Sequence, residues 1–253
     1  MPCIPVDLLA LPCAGASATM YLRWRRALPP WIRLTPLELP GRGSRMAEPC
    51  VEDYAALVEQ LCETFQPALH GRYVLFGHSM GALLAHGIAH RQRALGRPLP
   101  HALLVSASPA PSCRDRGPYP GRHDHAALLA ELRRHGGTPD DVLRNEALLQ
   151  LALDTLGADY RVCASFQPQS GPPLPLPIHA FGGRQDDIAP QRIEAWHAET
   201  AGHFALEWFD GGHFFIRQHE AALLAALVRV LGPLSGGTGP VDAGLPQRQI
   251  EDA

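Results

Sequence analysis

A chain of 253 residues with 46% apolar composition can bury a substantial core, and its length suits one α/β domain carrying an insertion. Its formal charge of -3, from 22 basic and 25 acidic residues with no basic block, lacks the electrostatic footprint of a nucleic-acid-binding protein. No apolar run reaches the roughly 20 uninterrupted residues of a membrane-spanning helix, because charges or prolines break each one.

The start, MPCIPVDLLALPCAGAS, is apolar but has no positive n-region and carries prolines at 2, 5 and 12, so it reads as part of the fold rather than as an export signal. The six cysteines show no C-x-x-C spacing and read as reduced thiols, which places the chain in the cytoplasm. Short β-like runs then recur at Val6 to Leu11, Ile32 to Leu39, Tyr73 to Gly77, His101 to Ser106, Leu176 to Phe181 and Phe204 to Phe209. Helical patterns separate them, which predicts a mostly parallel central sheet flanked by helices. Between the second and third runs, Val51, Tyr54, Val58, Leu61 and Phe65 step by three and four along one helical face.

The stretch from Pro109 to Pro173 is far longer than an ordinary loop and needs structure of its own. Leu128, Leu129 and Leu132, then Val142, Leu143, Leu148, Leu149, Leu151, Leu156 and Tyr160, predict two or three short helices. This insertion, 109–173, reads as a helical lid. Leu223, Leu224, Leu227, Val228 and Leu231 form the apolar face of a closing helix. The predicted single domain therefore covers 1–231, and the Gly- and Pro-rich segment 232–253 reads as a disordered tail.

The informative segment is Tyr73-Val-Leu-Phe-Gly77-His78-Ser79-Met80-Gly81-Ala-Leu-Leu-Ala, an apolar strand running through G-x-S-x-G into a helix. In that context the pentapeptide is the nucleophile elbow of the α/β-hydrolase fold, with Ser79 projecting above the sheet at a helix N-terminus. A serine hydroxyl is a poor nucleophile at neutral pH without a base, and in this fold the acid and then the histidine follow the serine. Of the 13 histidines, His213 in Phe209-Asp-Gly-Gly-His-Phe-Phe215 lies after a β-run and before the final helix, where the base is expected.

Asp186 is the expected acid, in Gly182-Gly-Arg-Gln-Asp186-Asp187 just past the fifth run, with Asp187 the close alternative. Asp210 reads as a turn residue and His78 as a residue shaping the site. Two backbone N–H groups must meet the oxyanion: Met80 follows the nucleophile, and Ala14 lies in the small-residue loop Leu11-Pro-Cys-Ala14-Gly-Ala-Ser17 after the first run. No H-E-x-x-H or paired Cys/His spacing predicts a metal site.

Several motifs in order resemble one family, the type II thioesterases that accompany nonribosomal peptide synthetases and polyketide synthases. LPCAGASATMY resembles its oxyanion loop, LELPGRGSRMAEP its second segment, GHSMGALLA its elbow, FDGGHFF its histidine loop, and LRRHGGTPDDVL its lid. Together these motifs span most of the chain from Leu8 to Leu231. The sequence departs from the family's pattern at Cys13, Ala16 and His86-Gly87, which bear on the pocket floor. The resemblance implies hydrolysis of acyl thioesters carried on the phosphopantetheine arm of acyl or peptidyl carrier proteins. It implies no cofactor beyond that arm, which belongs to the substrate, and nothing in the sequence suggests an obligate interface, so a monomer is expected. The competing readings are a medium-chain thioesterase of fatty-acid synthesis and a general serine carboxylesterase. Arg114, Arg116 and Arg122 are the basic residues of the insertion that could meet an acidic carrier.

Overall fold

Six apolar runs become six strands: β1 (Val6–Leu11), β2 (Ile32–Pro36), β3 (Tyr73–His78), β4 (Leu103–Ser106), β5 (Ile178–Gly183) and β6 (Phe204–Phe209). In the computed structural model, which describes residues 4–114, 124–135, 138, 140–168 and 171–236, these strands form one sheet. Every neighbouring pair is parallel and the order is β2-β1-β3-β4-β5-β6. The expected α/β-hydrolase-type architecture, a parallel sheet flanked by helices, is therefore the observed one.

Between the strands lie α1 (Trp24–Ala27), α2 (Tyr54–Thr64), α3 (Met80–Ala94), α4 (His125–His135), α5 (Asp140–Arg144), α6 (Glu146–Ser165), α7 (Pro190–Glu194), α8 (Phe215–Gln218) and α9 (Glu220–Leu231). Alternation along the strands divides the core in two. Leu9, Leu11, Leu75, Leu103 and Val105 face one way and pack with α2 and α3. Leu8, Ala10, Val74, Phe76 and Leu104 face the other way and pack with Tyr21, Trp24 and the apolar stripe of α9. All six residues of β3 are buried. The chain moves from β1 outward to β2 and then back to β3, so β1 and β3 meet where the order reverses, and a crevice forms at their carboxyl ends.

Element ends differ from the sequence expectation where caps and prolines intervene. β2 stops at Pro36 instead of Leu39, although Leu37 N–H still donates to the Ala10 carbonyl at 2.8 Å. β5 begins at Ile178, since Pro175 and Pro177 have no N–H to contribute to a ladder, and β4 begins at Leu103, although His101 N–H still donates to the Tyr73 carbonyl at 2.8 Å. Asp53 caps α2 by accepting the Ala56 N–H at 2.9 Å, so Val51 lies before the helix.

The insertion holds α4, α5 and α6, but α6 is one helix of 20 residues in place of short pieces, started by Asn145, whose side chain accepts the Leu148 N–H. Leu128, Leu153, Leu156 and Tyr160 give these helices a small core of their own, against which Ala14 packs. Arg93 of α3 fastens the far end of the insertion by donating to the carbonyls of Pro172 and Pro173. Gly232–Ser235, expected in the tail, instead forms a 3-10 turn whose Ser235 carbonyl accepts the Ile4 N–H at 2.9 Å. The rest of that expected tail, 237–253, and Arg116 and Arg122 lie outside the described residues. Among the described residues no helix is long and apolar enough to cross a membrane, and Cys13, Cys50, Cys62, Cys113 and Cys163 are unbridged.

Two histidines of this scaffold are held at about 4, well below the usual value of 6.5: His90 by burial and then by His86 and Arg93, and His179 by burial and then by His203. The unfolded chain therefore binds more protons than the fold between those values. The stability contributed by these two neutral rings is fully present above pH 6.5 and is lost as pH falls toward 4. Thermal melts from pH 7 to pH 4 should show Tm falling through this window, with a shallower fall in the His90→Gln/His179→Gln double variant.

Candidate active site

Ser79 sits between the last residue of β3 and the first of α3, with φ 56° and ψ −115°, a strained conformation for a residue with a side chain. Its N–H donates to the Ser106 carbonyl at 2.7 Å, which pins the turn to the adjoining strand. The turn is so tight that a Cβ at Gly77 would lie 2.1 Å from the Gly81 carbonyl oxygen, and one at Gly81 would lie 2.3 Å from that of Leu11. Glycine is required at both positions by close approach of backbone.

The loops after β5 and β6 bring the next two groups together. Arg184 N–H donates to the Phe209 carbonyl at 2.8 Å and Gln185 N–H to that of Gly211 at 3.0 Å, while the Gln185 side chain accepts the Gly211 N–H. Gly211 adopts φ 98°, which lets the chain turn into Gly212 and His213. Across this brace His213 Nδ1 lies 2.9 Å from Asp186 Oδ2. A carboxylate only accepts, so Nδ1 carries the proton of this bond and Nε2 of the neutral ring keeps its lone pair. The Asp186 side chain is 3% exposed.

Asp187, by contrast, has a side chain 80% exposed and pairs with Arg134 of α4. Asp210 is also exposed and lies 3.4 Å from Arg184. Of the two adjacent candidates, the fold brings Asp186 to the histidine and turns Asp187 toward the insertion. His78 is buried, lies 3.0 Å from Ser106 Oγ through Nδ1, and packs its ring 5.2 Å from that of His213.

Ser79, Met80, Asp186, His213, Ala14 and Leu156 line one cavity of about 950 Å³ at the carboxyl ends of β1, β3 and β5. Met80 opens α3, where the first N–H groups have no partner within the helix. In the loop after β1, Ala16 N–H donates to the Cys13 carbonyl at 3.1 Å and Gly15 N–H to Asp159 Oδ2 at 2.7 Å. Both of these N–H groups are engaged within the protein, and Ala14 lines the cavity together with Ser79. Burial pushes the neighbouring Cys13 thiol up to about 12, against a weaker opposing influence from Arg217, which keeps it protonated at neutral pH.

Asp159 is the polar residue of this region that sequence reasoning missed, together with its ion-pair partner Arg42. Its signal was an acid placed among Leu156, Tyr160 and Cys163 on the buried stripe of α6. Among the described residues no group of three or more His, Cys, Asp or Glu side chains is arranged to hold a metal ion.

The model of the thioesterase domain matches residues 7–231. The chain belongs to the thioesterase family. Thioesterase PikA5 of Streptomyces venezuelae is 35% identical over 220 residues, covering 85% of this chain and 78% of its own. Linear gramicidin dehydrogenase LgrE of Brevibacillus parabrevis is 34% identical over 230 residues, covering 89% and 88%. The solved structure of the type II thioesterase BorB from the borrelidin biosynthetic cluster superposes with a TM-score of 0.82 at 38% identity, covering 91% of this chain and 95% of that one.

The backbone contact at the turn generates a stability test. Gly81→Ala should destabilise this thioesterase-family chain by about 1–3 kcal/mol, since the added methyl meets main-chain oxygen with no flexible side chain to yield. Urea unfolding monitored by circular dichroism measures it, and an unchanged midpoint would show that the turn has more room than its geometry implies.

Proposed function

We propose that this chain is a cytoplasmic, monomeric serine thioesterase that hydrolyses acyl groups from the phosphopantetheine arm of acyl or peptidyl carrier proteins, freeing stalled or mis-primed carriers in nonribosomal peptide or polyketide synthesis. The observation that carries the chemistry is the Asp186–His213 hydrogen bond at 2.9 Å in the cavity that also exposes Ser79. The substrate class is supported by similarity to a type II thioesterase of a biosynthetic cluster. A hydride-transfer reading, raised by the name of the gramicidin relative, finds no G-x-G-x-x-G in the loop after β1, which reads Leu11-Pro-Cys-Ala-Gly-Ala-Ser.

In the proposed mechanism His213 Nε2 takes the Ser79 proton as Oγ attacks the thioester carbonyl, and the Ala14 and Met80 N–H groups hold the oxyanion. The same imidazole protonates the departing thiol. It then activates the water that releases the acid and restores Ser79. Asp186 fixes the ring's tautomer and offsets the imidazolium charge. No step calls for a cofactor. The insertion acts as the lid past which the arm threads.

Ser79→Ala should abolish the covalent acyl or fluorophosphonate adduct while leaving circular dichroism unchanged, and an adduct found on another residue by mass spectrometry would overturn the assignment. Asp186→Asn should lower kcat on the order of 10⁴-fold, whereas Asp187→Asn should be mild, given that carboxylate's exposure. For a short acyl group, kcat/KM should rank carrier protein above coenzyme A above an oxygen ester. Equal turnover of the oxygen ester would make the chain a general carboxylesterase, and a sharp preference for longer chains would favour fatty-acid termination.

A further inference from the structure

Asp159 of α6 and Arg42 form an ion pair with side chains only 1% and 7% exposed. Arg42 Nη1 meets Oδ2 at 2.5 Å and Nη2 meets Oδ1 at 2.6 Å, the bidentate geometry in which a guanidinium fixes a carboxylate plane. Oδ2 also accepts the Gly15 N–H at 2.7 Å, and Arg42 Nη1 donates to the Ala16 carbonyl at 3.2 Å. The pair thus grips the main chain of the loop after β1 on both sides of the Gly15–Ala16 unit.

The other end of that loop is held by a second carboxylate. Glu38 accepts the Ala18 N–H at 3.0 Å and the Ser17 hydroxyl at 2.8 Å. Gly15 itself has φ 73°, and a Cβ there would lie 3.3 Å from Leu156 Cδ1, so α6 rests directly on the turn. The orientation of the Gly15 N–H sets the plane of the Ala14–Gly15 peptide. Only the two dihedrals of Ala14, which packs against the insertion's core, separate that plane from the Ala14 N–H.

A buried ion pair is a weak source of net stability, because the cost of removing both charges from water offsets their attraction. Its value here lies in what it holds. A helix with this acid on its buried face could pack more simply with an apolar residue, yet its carboxylate is spent on a backbone N–H one residue from the expected oxyanion donor. Removing one donor from an oxyanion hole costs roughly 10² to 10³ in kcat, and tilting it out of line should approach that loss.

We propose that Asp159 and Arg42 are positioning residues for the oxyanion hole, aiming the Ala14 N–H by gripping the Gly15–Ala16 main chain. The inference rests on the serine-thioesterase reading of Ser79 and His213. It is tested with the Arg42→Met/Asp159→Leu double variant, which removes both buried charges together and so avoids stranding either one.

Two inhibitors separate positioning from packing. A trifluoromethyl ketone accepts Ser79 Oγ at its carbonyl carbon; the serine proton passes to His213 and the carbonyl electron pair becomes an oxyanion in the hole. A thioether analogue of the substrate fills the cavity with no oxyanion. The double variant should melt within a few degrees of wild type, bind the thioether within about twofold, and lose roughly 10²-fold in kcat and in trifluoromethyl ketone affinity, at the low end of what loss of one donor costs. KM for the thioester should change little. Should the double variant fail to fold, Arg42→Lys, which keeps the charge and loses the bidentate grip, is expected to show the same split at smaller amplitude. Undiminished kcat and ketone affinity in a folded variant would overturn the proposal, as would equal weakening of both inhibitors, which would reduce the pair to a cavity wall. Failure of wild-type protein to form the ketone adduct on Ser79 would instead defeat the underlying catalytic reading and the proposal with it.

Discussion

No side chain fits between the Leu11 carbonyl at the end of β1 and the backbone at Gly81, where an added Cβ would come within 2.3 Å of that oxygen. This contact is where β1 and β3 hand over to their loops. It holds the serine turn against the loop carrying Ala14, so Ser79 and the expected oxyanion donors share one small volume. The strain at Ser79, with φ 56°, is sustained because both neighbours are locked: its N–H by Ser106 of β4 and its flanks by glycines at 77 and 81.

The remaining groups are delivered by the same logic of parallel strands ending on one side. β5 and β6 close the sheet and release adjoining loops, and backbone bonds between them fix the distance from Asp186 to His213 before either side chain is considered. Sheet register extended into the loops thus brings the two residues within reach, and the hydrogen bond between their side chains orients the imidazole. The buried His78 ring packs against the His213 ring and, through Ser106, joins it to the strand that pins the Ser79 turn.

Much of this was legible because it is local. An apolar strand, a G-x-S-x-G turn and a helical pattern lie within a few residues of each other, and the order of serine, acid and histidine restricted the search for the rest. The strand boundaries were less legible: alternating apolar residues continue past Pro36 and begin before Pro177, whereas the ladder depends on N–H groups that hydropathy does not count. Choosing between Asp186 and Asp187 turns on which neighbour points inward after β5, a phase that only the folded strand end displays. Asp159 and Arg42 stand 117 residues apart and join a helix of the insertion to a loop after β2, so no spacing rule connects them. The acid on the apolar stripe of α6 was the visible anomaly.

That anomaly changes what the insertion is. Leu156 rests on Gly15, Ala14 packs into the insertion's own core, and Asp159 grips the Gly15 N–H, so α6 is structurally a wall of the cavity and a buttress of the loop after β1. Toward its amino-terminal end Leu148 and Leu151 are exposed, while Leu149 and Leu153 pack in the insertion's own core and Ala152 lines the cavity. The helix thus has one end tied to the loop after β1 and the other packed within the insertion. An exchange of insertions that replaced the whole of α6 would therefore also replace the residues that hold the acceptor's loop after β1.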